Sequence, residues 1–114
     1  MTATADPRTE TGGLLDIGVQ RLVGLVEVTL DGWLDETTVG LAQGTLEHLL
    51  ADGATTVDVD CTELVHVDGF GLALLLDASH QLRAKGGTLV VRYPQPPVLD
   101  RLRHAGLDHL LLVP

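Results

Sequence analysis

Asp77, Ser79 and His80 put a carboxylate, a hydroxyl and an imidazole close together in the chain, the ingredients of nucleophilic acyl transfer. On a helix that turns about 100° per residue, however, Ser79 points nearly opposite to the other two, and no oxyanion hole can be assembled around it. The five histidines, His48, His66, His80, His104 and His109, show no i, i+4 pair, and Cys61 stands alone. Zinc needs three or four convergent ligands, so no metal site is expected. Gly12-Gly13 and Gly86-Gly87 do not make a phosphate-binding fingerprint. The chain is therefore expected not to be an enzyme and to carry no cofactor.

The most informative stretch is Glu63-Leu64-Val65-His66-Val67-Asp68-Gly69-Phe70-Gly71-Leu72. Asp68 stands where a helix begins, able to accept from the first free backbone N–H groups and to sit favourably at the positive end of the helix. A helix start exposed at the carboxyl end of a strand is a ready place for an anion or a partner. On a helical wheel Leu72, Leu75, Leu76, Ser79 and Leu82 share the core face. Phe70 and Leu74 fall on the opposite side, beside Asp77 and Gln81. Either Phe70, the only phenylalanine of the chain, is an exposed apolar contact for a partner, or it folds back onto the preceding loop.

The elements that must position this stretch follow from hydrophobic periodicity. Leu15, Ile17 and Val19 alternate with polar residues as a half-buried strand, and Leu25 to Leu30 pairs with it antiparallel through a short link. Asp35 or Thr37 caps a first helix carrying Val39, Ala42, Leu46, Leu49 and Leu50, which stops at Gly53. Trp33, just before it, is expected to be buried. Gly40 and Gly44, four apart on that helix, either admit a close neighbour or are merely tolerated. Val57-Asp58-Val59-Asp60-Cys61 is a strand with one apolar and one acidic face, so one side of the sheet is wet. A second helix covers about Gly69 to Ala84, Thr88 to Tyr93 is a strand, Pro97 opens a short helix ending at Gly106, and Leu110 to Val113 is a last strand. The order β-β-α-β-α-β-α-β predicts an α/β fold with a mixed five-stranded sheet and helices mainly on one face.

At 114 residues the chain has the size of one compact domain; residues 14–114 read as that domain and residues 1–13 as a disordered tail. Its single cysteine excludes an internal disulfide. No apolar run approaches the roughly 20 residues of a membrane helix, and the N-terminus lacks the apolar core of a signal peptide; the expected location is the cytoplasm, without membrane insertion. Seven basic against sixteen acidic residues give a net charge of −9, which argues against nucleic acid as a partner. The acids crowd into the first 82 residues, where Arg8 and Arg21 are the only bases; Arg83, Lys85, Arg92, Arg101 and Arg103 follow them. That asymmetry serves either to steer a basic protein partner or simply to keep the chain soluble.

Taken in order, Gly32-Trp33-Leu34-Asp35-Glu36-Thr37-Thr38, Val57-Asp58-Val59-Asp60-Cys61-Thr62-Glu63-Leu64, Val67-Asp68-Gly69-Phe70-Gly71-Leu72, Lys85-Gly86-Gly87-Thr88-Leu89 and Arg103-His104-Ala105-Gly106-Leu107-Asp108-His109-Leu110-Leu111 resemble the STAS domain of anti-sigma factor antagonists over residues 14–114. The resemblance implies a binding protein that captures an anti-sigma factor, of the kinase-like ATPase type, and frees its sigma factor. It implies a reversible interface around this loop and the start of the second helix, where Asp68, Gly69, Phe70, Gly71 and Leu74 are the expected contacts, with Asp35 in support. In many members the loop reads Asp-Ser-Ser/Thr-Gly, and phosphorylation of the second hydroxyl breaks the complex. Here Asp68 and Gly71 match, while Gly69 and Phe70 occupy the hydroxyl positions, so phosphorylation at that place is not expected to switch this chain. Thr62 is a weak substitute acceptor, and Ser79 falls on the core face. The resemblance leaves a second reading: an adaptor subunit of a larger assembly, such as a lipid-transporter or stress-signalling complex.

Overall fold

The computed structural model describes residues 14–111; the stretch 1–13, expected as a tail, lies outside them. The elements are β1 (Leu15–Leu22), β2 (Leu25–Leu34), α1 (Val39–Ala51), β3 (Thr56–Asp60), β4 (Leu64–Val67), α2 (Gly69–Ala84), β5 (Thr88–Arg92), α3 (Pro96–His104) and a 3-10 turn (Asp108–Leu110). β1 and β2 form a hairpin closed by Val23-Gly24, where Gly24 takes φ +83°, a left-handed turn position that costs glycine little. β3 lies parallel to β2, and β5 parallel to β3. The sheet is mixed and five-stranded, in the order β1-β2-β3-β5, with β4 pairing the far end of β2.

Among the described residues the fifth strand is thus β4, a four-residue segment within the stretch expected to join the central strand to the second helix. Leu110 closes the 3-10 turn, and Leu111 makes a single parallel bridge to Val91; residues 112–114 lie outside the described residues. β2 also runs four residues further than its apolar alternation suggested, which puts Trp33 on a strand. There it is half-buried rather than enclosed, its ring tilted against that of His66 with centroids 5.1 Å apart.

Alternation divides the sheet into two faces. Val26, Val28, Leu30 and Leu34 of β2, Val57 and Val59 of β3, and Leu89 and Val91 of β5 join Leu46, Leu49, Leu75 and Leu82 of the helices in one buried cluster. The other face carries Glu27, Asp58, Asp60 and Arg92 at matched register. Asp58 is buried there, and its carboxylate accepts a 2.6 Å hydrogen bond from Arg92 Nε. That contact, with the phenol of Tyr93 second, raises the Arg92 pKa above its already high ordinary value; the aspartate is buried as a paired ion. Cys61 directly follows β3 and is fully buried, and burial, reinforced by the Asp60 charge, pushes its thiol up to about 12.

Candidate partner-binding site

Two loops meet where β2 and β4 end. The first leads from β2 into α1. Its helix begins at Val39, with Thr38 in the cap position and no side-chain cap bond, so neither Asp35 nor Thr37 is the N-cap expected of them. Asp35 closes a local turn instead. Its Oδ1 accepts from the Thr37 N–H at 2.9 Å and from the Thr37 hydroxyl at 2.7 Å, the usual way a short carboxylate side chain organises a turn. Thr38 is buried. Its hydroxyl donates to Trp33 O at 2.7 Å and accepts from the Asp35 N–H at 3.0 Å. Partial burial works to raise the Asp35 pKa, but the hydrogen bonds from Thr37 and Thr38 outweigh it and hold the carboxyl below its ordinary value.

The second loop is the start of α2. Asp68 is extended and caps the helix, with Oδ1 accepting from the Gly71 N–H at 2.9 Å. Its other oxygen accepts from the Glu36 N–H at 2.9 Å, and its own N–H donates to Leu34 O at 3.1 Å. One carboxylate therefore clasps both loops. The cap was readable from an aspartate preceding a helix; the bond to Glu36 was not, because it joins residues far apart in the chain through a backbone N–H that any residue would supply.

The clasp fixes what this corner presents. Gly69 is exposed, and Phe70 is 58% exposed, facing away from the core as its wheel position required. Gly71 and Leu74 are corrections. Gly71 is buried, and a Cβ built on it would lie 2.7 Å from Val67 Cγ2 and 2.8 Å from both Leu34 Cγ and Leu34 O. It is a packing residue, not a surface contact. Leu74 is only 8% exposed and shares a seam with Leu46 and Leu50 of α1. The wheel allowed α2 one buried face, the one on the sheet; α1 covers a second. Val65, exposed on β4 just upstream, joins Phe70 among the bare apolar side chains.

Other candidates lie elsewhere. Thr62 sits in the turn between β3 and β4, where its hydroxyl donates to Asp60 Oδ1 at 2.6 Å and its carbonyl accepts from Gln95 Nε2 at 2.7 Å. Ser79 is buried. Among the described residues no group of three or more His, Cys, Asp or Glu side chains is placed to hold a metal ion, and no helix is long and apolar enough to cross a membrane.

Asp68→Ala is expected to lower folding stability by about 1–2 kcal/mol, the cost of a lost N-cap, with Glu36 freed from the corner. Urea unfolding measures it, and Asp68→Asn, which keeps an acceptor oxygen, should lose less.

Comparison with known proteins places this corner in context. The family model described as "Mlab, STAS domain" matches residues 17–114. The chain belongs to the STAS-domain family. In fold it is similar to the anti-sigma factor antagonist SpoIIAA in its unphosphorylated form, at 23% identity with a TM-score of 0.77, over 85% of this chain and 86% of that one. It is similarly close to an anti-sigma factor antagonist from Mycobacterium paratuberculosis, at 19% identity and a TM-score of 0.79, over 86% and 83% of the two chains. A variant of RsbS from Moorella thermoacetica follows at 19% identity and a TM-score of 0.69, covering 86% of each. No curated protein sequence matches the chain. At these identities the neighbours establish the fold alone.

Proposed function

We propose that this STAS protein is an anti-sigma factor antagonist, a cytoplasmic binding protein without enzymatic activity that captures a kinase-like ATPase anti-sigma factor and so releases a sigma factor. Phe70 is the central contact, flanked by Gly69. Asp68 and Asp35 act by holding the corner in shape, while Gly71 and Leu74 support it from beneath. The observation that carries this reading is the exposed phenylalanine at the start of α2, on loops clasped by Asp68. A large apolar side chain left in water on a rigid corner is the composition of an interface hot spot, and rigidity spares the ordering cost of binding. The acids concentrated in residues 1–82 steer a basic partner toward it.

Control of the complex does not run through a loop phosphate, because Gly69 and Phe70 offer no hydroxyl. Introducing about −1.5 to −2 charges is how such a modification acts, and this corner lacks the acceptor. Binding is constitutive here, or set by expression or a second ligand.

Calorimetry against the cognate anti-sigma factor tests the reading. Phe70→Ala should weaken binding by about 2 kcal/mol, roughly thirtyfold, with an unchanged melting temperature. Incubation of the wild-type chain with that factor and ATP should leave the 62–71 segment unphosphorylated by mass spectrometry. Undiminished binding by Phe70→Ala, or a phosphate on Thr62, would refute the respective half of the proposal.

The family description, which names Mlab, favours one second reading: an adaptor subunit of a larger assembly such as a lipid-transporter or stress-signalling complex. Co-purification from the native host separates the two, since it yields either a kinase-like ATPase or a membrane transporter.

A further inference from the structure

Among the described residues, β1 is an edge strand whose outer side no other strand covers: it stands at the end of the strand order and pairs only with β2. Antiparallel ladders alternate bonded and non-bonded pairs. The Trp33 N–H donates to Leu14 O at 2.9 Å, which assigns the even-numbered residues of β1 to the bonds with β2. Leu15, Ile17, Val19 and Arg21 therefore direct their N–H and C=O groups outward. Edge strands are normally blunted by lysine, proline, a bulge or shortness. β1 has eight residues, neither lysine nor proline, and an unbroken register with β2.

The surroundings point to a second copy of this chain as what covers the edge. On the helix side of the sheet, Val19, 44% exposed, lies in an open groove with Gly40, Leu41 and Gly44 of α1. Leu41 is 59% exposed, and side chains added at Gly40 or Gly44 would meet nothing within 4 Å. A lone foreign strand would satisfy the backbone and leave that flank of α1 bare. A copy related by a two-fold axis perpendicular to the sheet satisfies the backbone and brings α1 toward its mate across the groove, where the glycines leave room for Leu41. The charges agree. The ionisable residues of β1 are Asp16 and Arg21. In an antiparallel register centred on Val19, Asp16 faces Leu22 of the other copy and Arg21 faces Ile17, so no charge meets its like.

We propose that two copies of this chain associate through β1, antiparallel with Val19 opposite Val19, extending the sheet across the dimer with about six added backbone hydrogen bonds and apposing the Gly40–Gly44 flanks of α1. Sedimentation equilibrium from micromolar to near-millimolar concentration tests it, alongside two variants. Val19→Pro removes an outward N–H that β2 does not use. Leu41→Glu alters an exposed helix residue and leaves β1 intact. The expected result is a concentration-dependent rise from one chain mass to two, with each variant raising the dissociation constant about tenfold or more. Slowed amide exchange at Ile17, Val19 and Arg21 should accompany the dimer and be absent from the monomer. A single-chain mass at every concentration would overturn the proposal, as would a dimer indifferent to both variants; should Val19→Pro fail to fold, Leu41→Glu alone decides.

Discussion

Leu74→Ala should lower folding stability by about 3 kcal/mol while leaving the intrinsic affinity of the folded protein for its partner unchanged. Leu74 is 8% exposed and lines the seam that α2 shares with α1. Truncating a buried leucine loses the transfer free energy of its methyl and methylene groups, and adds a cavity term set by how far the neighbours can relax. Those neighbours include Leu34, Leu46 and Leu75, all buried themselves, so relaxation is small. Urea unfolding reports the loss, and calorimetry at a temperature where the variant is folded reports the affinity. A variant of wild-type stability that binds weakly would return Leu74 to the surface role its wheel position suggested.

The second large effect is at Gly71. An alanine Cβ there must enter space already held by Val67 Cγ2, Leu34 Cγ and Leu34 O. Leu34 and Val67 are fully buried, and the carbonyl belongs to the strand that leads into the first loop, so none of the three withdraws cheaply. Overpacking of this kind costs about 1–3 kcal/mol, and the contact with backbone puts Gly71→Ala at the upper end. The better helix propensity of alanine offsets about 1 kcal/mol, leaving a net loss of about 2 kcal/mol. Gly69 supplies the control. It stands two residues earlier, and a Cβ there meets nothing within 4 Å, so Gly69→Ala should be neutral or slightly stabilising. Thermal melts of the two variants side by side separate a steric requirement for glycine from a general need for a flexible loop.

These positions show where the sequence could be read and where it could not. The α/β order, both long helices and the cap at Asp68 follow from periodicity and from an aspartate ahead of an apolar run, which are local properties. β4 was missed because Leu64 to Val67 is too short to show alternation, and its pairing with β2 is a long-range fact. The start of α1 is not fixed by the sequence because the polar run from Asp35 to Thr38 offers several capping residues in a row, and Thr38 takes the cap position without a side-chain cap bond, its hydroxyl donating to Trp33 O instead. The same wheel puts Phe70 and Leu74 on the side away from the sheet, yet Phe70 is exposed there and Leu74 is buried. A wheel gives direction, whereas burial depends on how many neighbours stand in that direction.

Cys61 gives the molecule a built-in clock. A thiol with no access to solvent, its proton held so firmly that thiolate is scarce, reacts with a maleimide or disulfide reagent only during excursions that open the centre of the sheet. As the chain has no other cysteine, each labelled molecule records one such event. At reagent concentrations where labelling outpaces reclosing, the labelling rate of the unaltered protein therefore measures how often its interior breathes, with no probe engineered in.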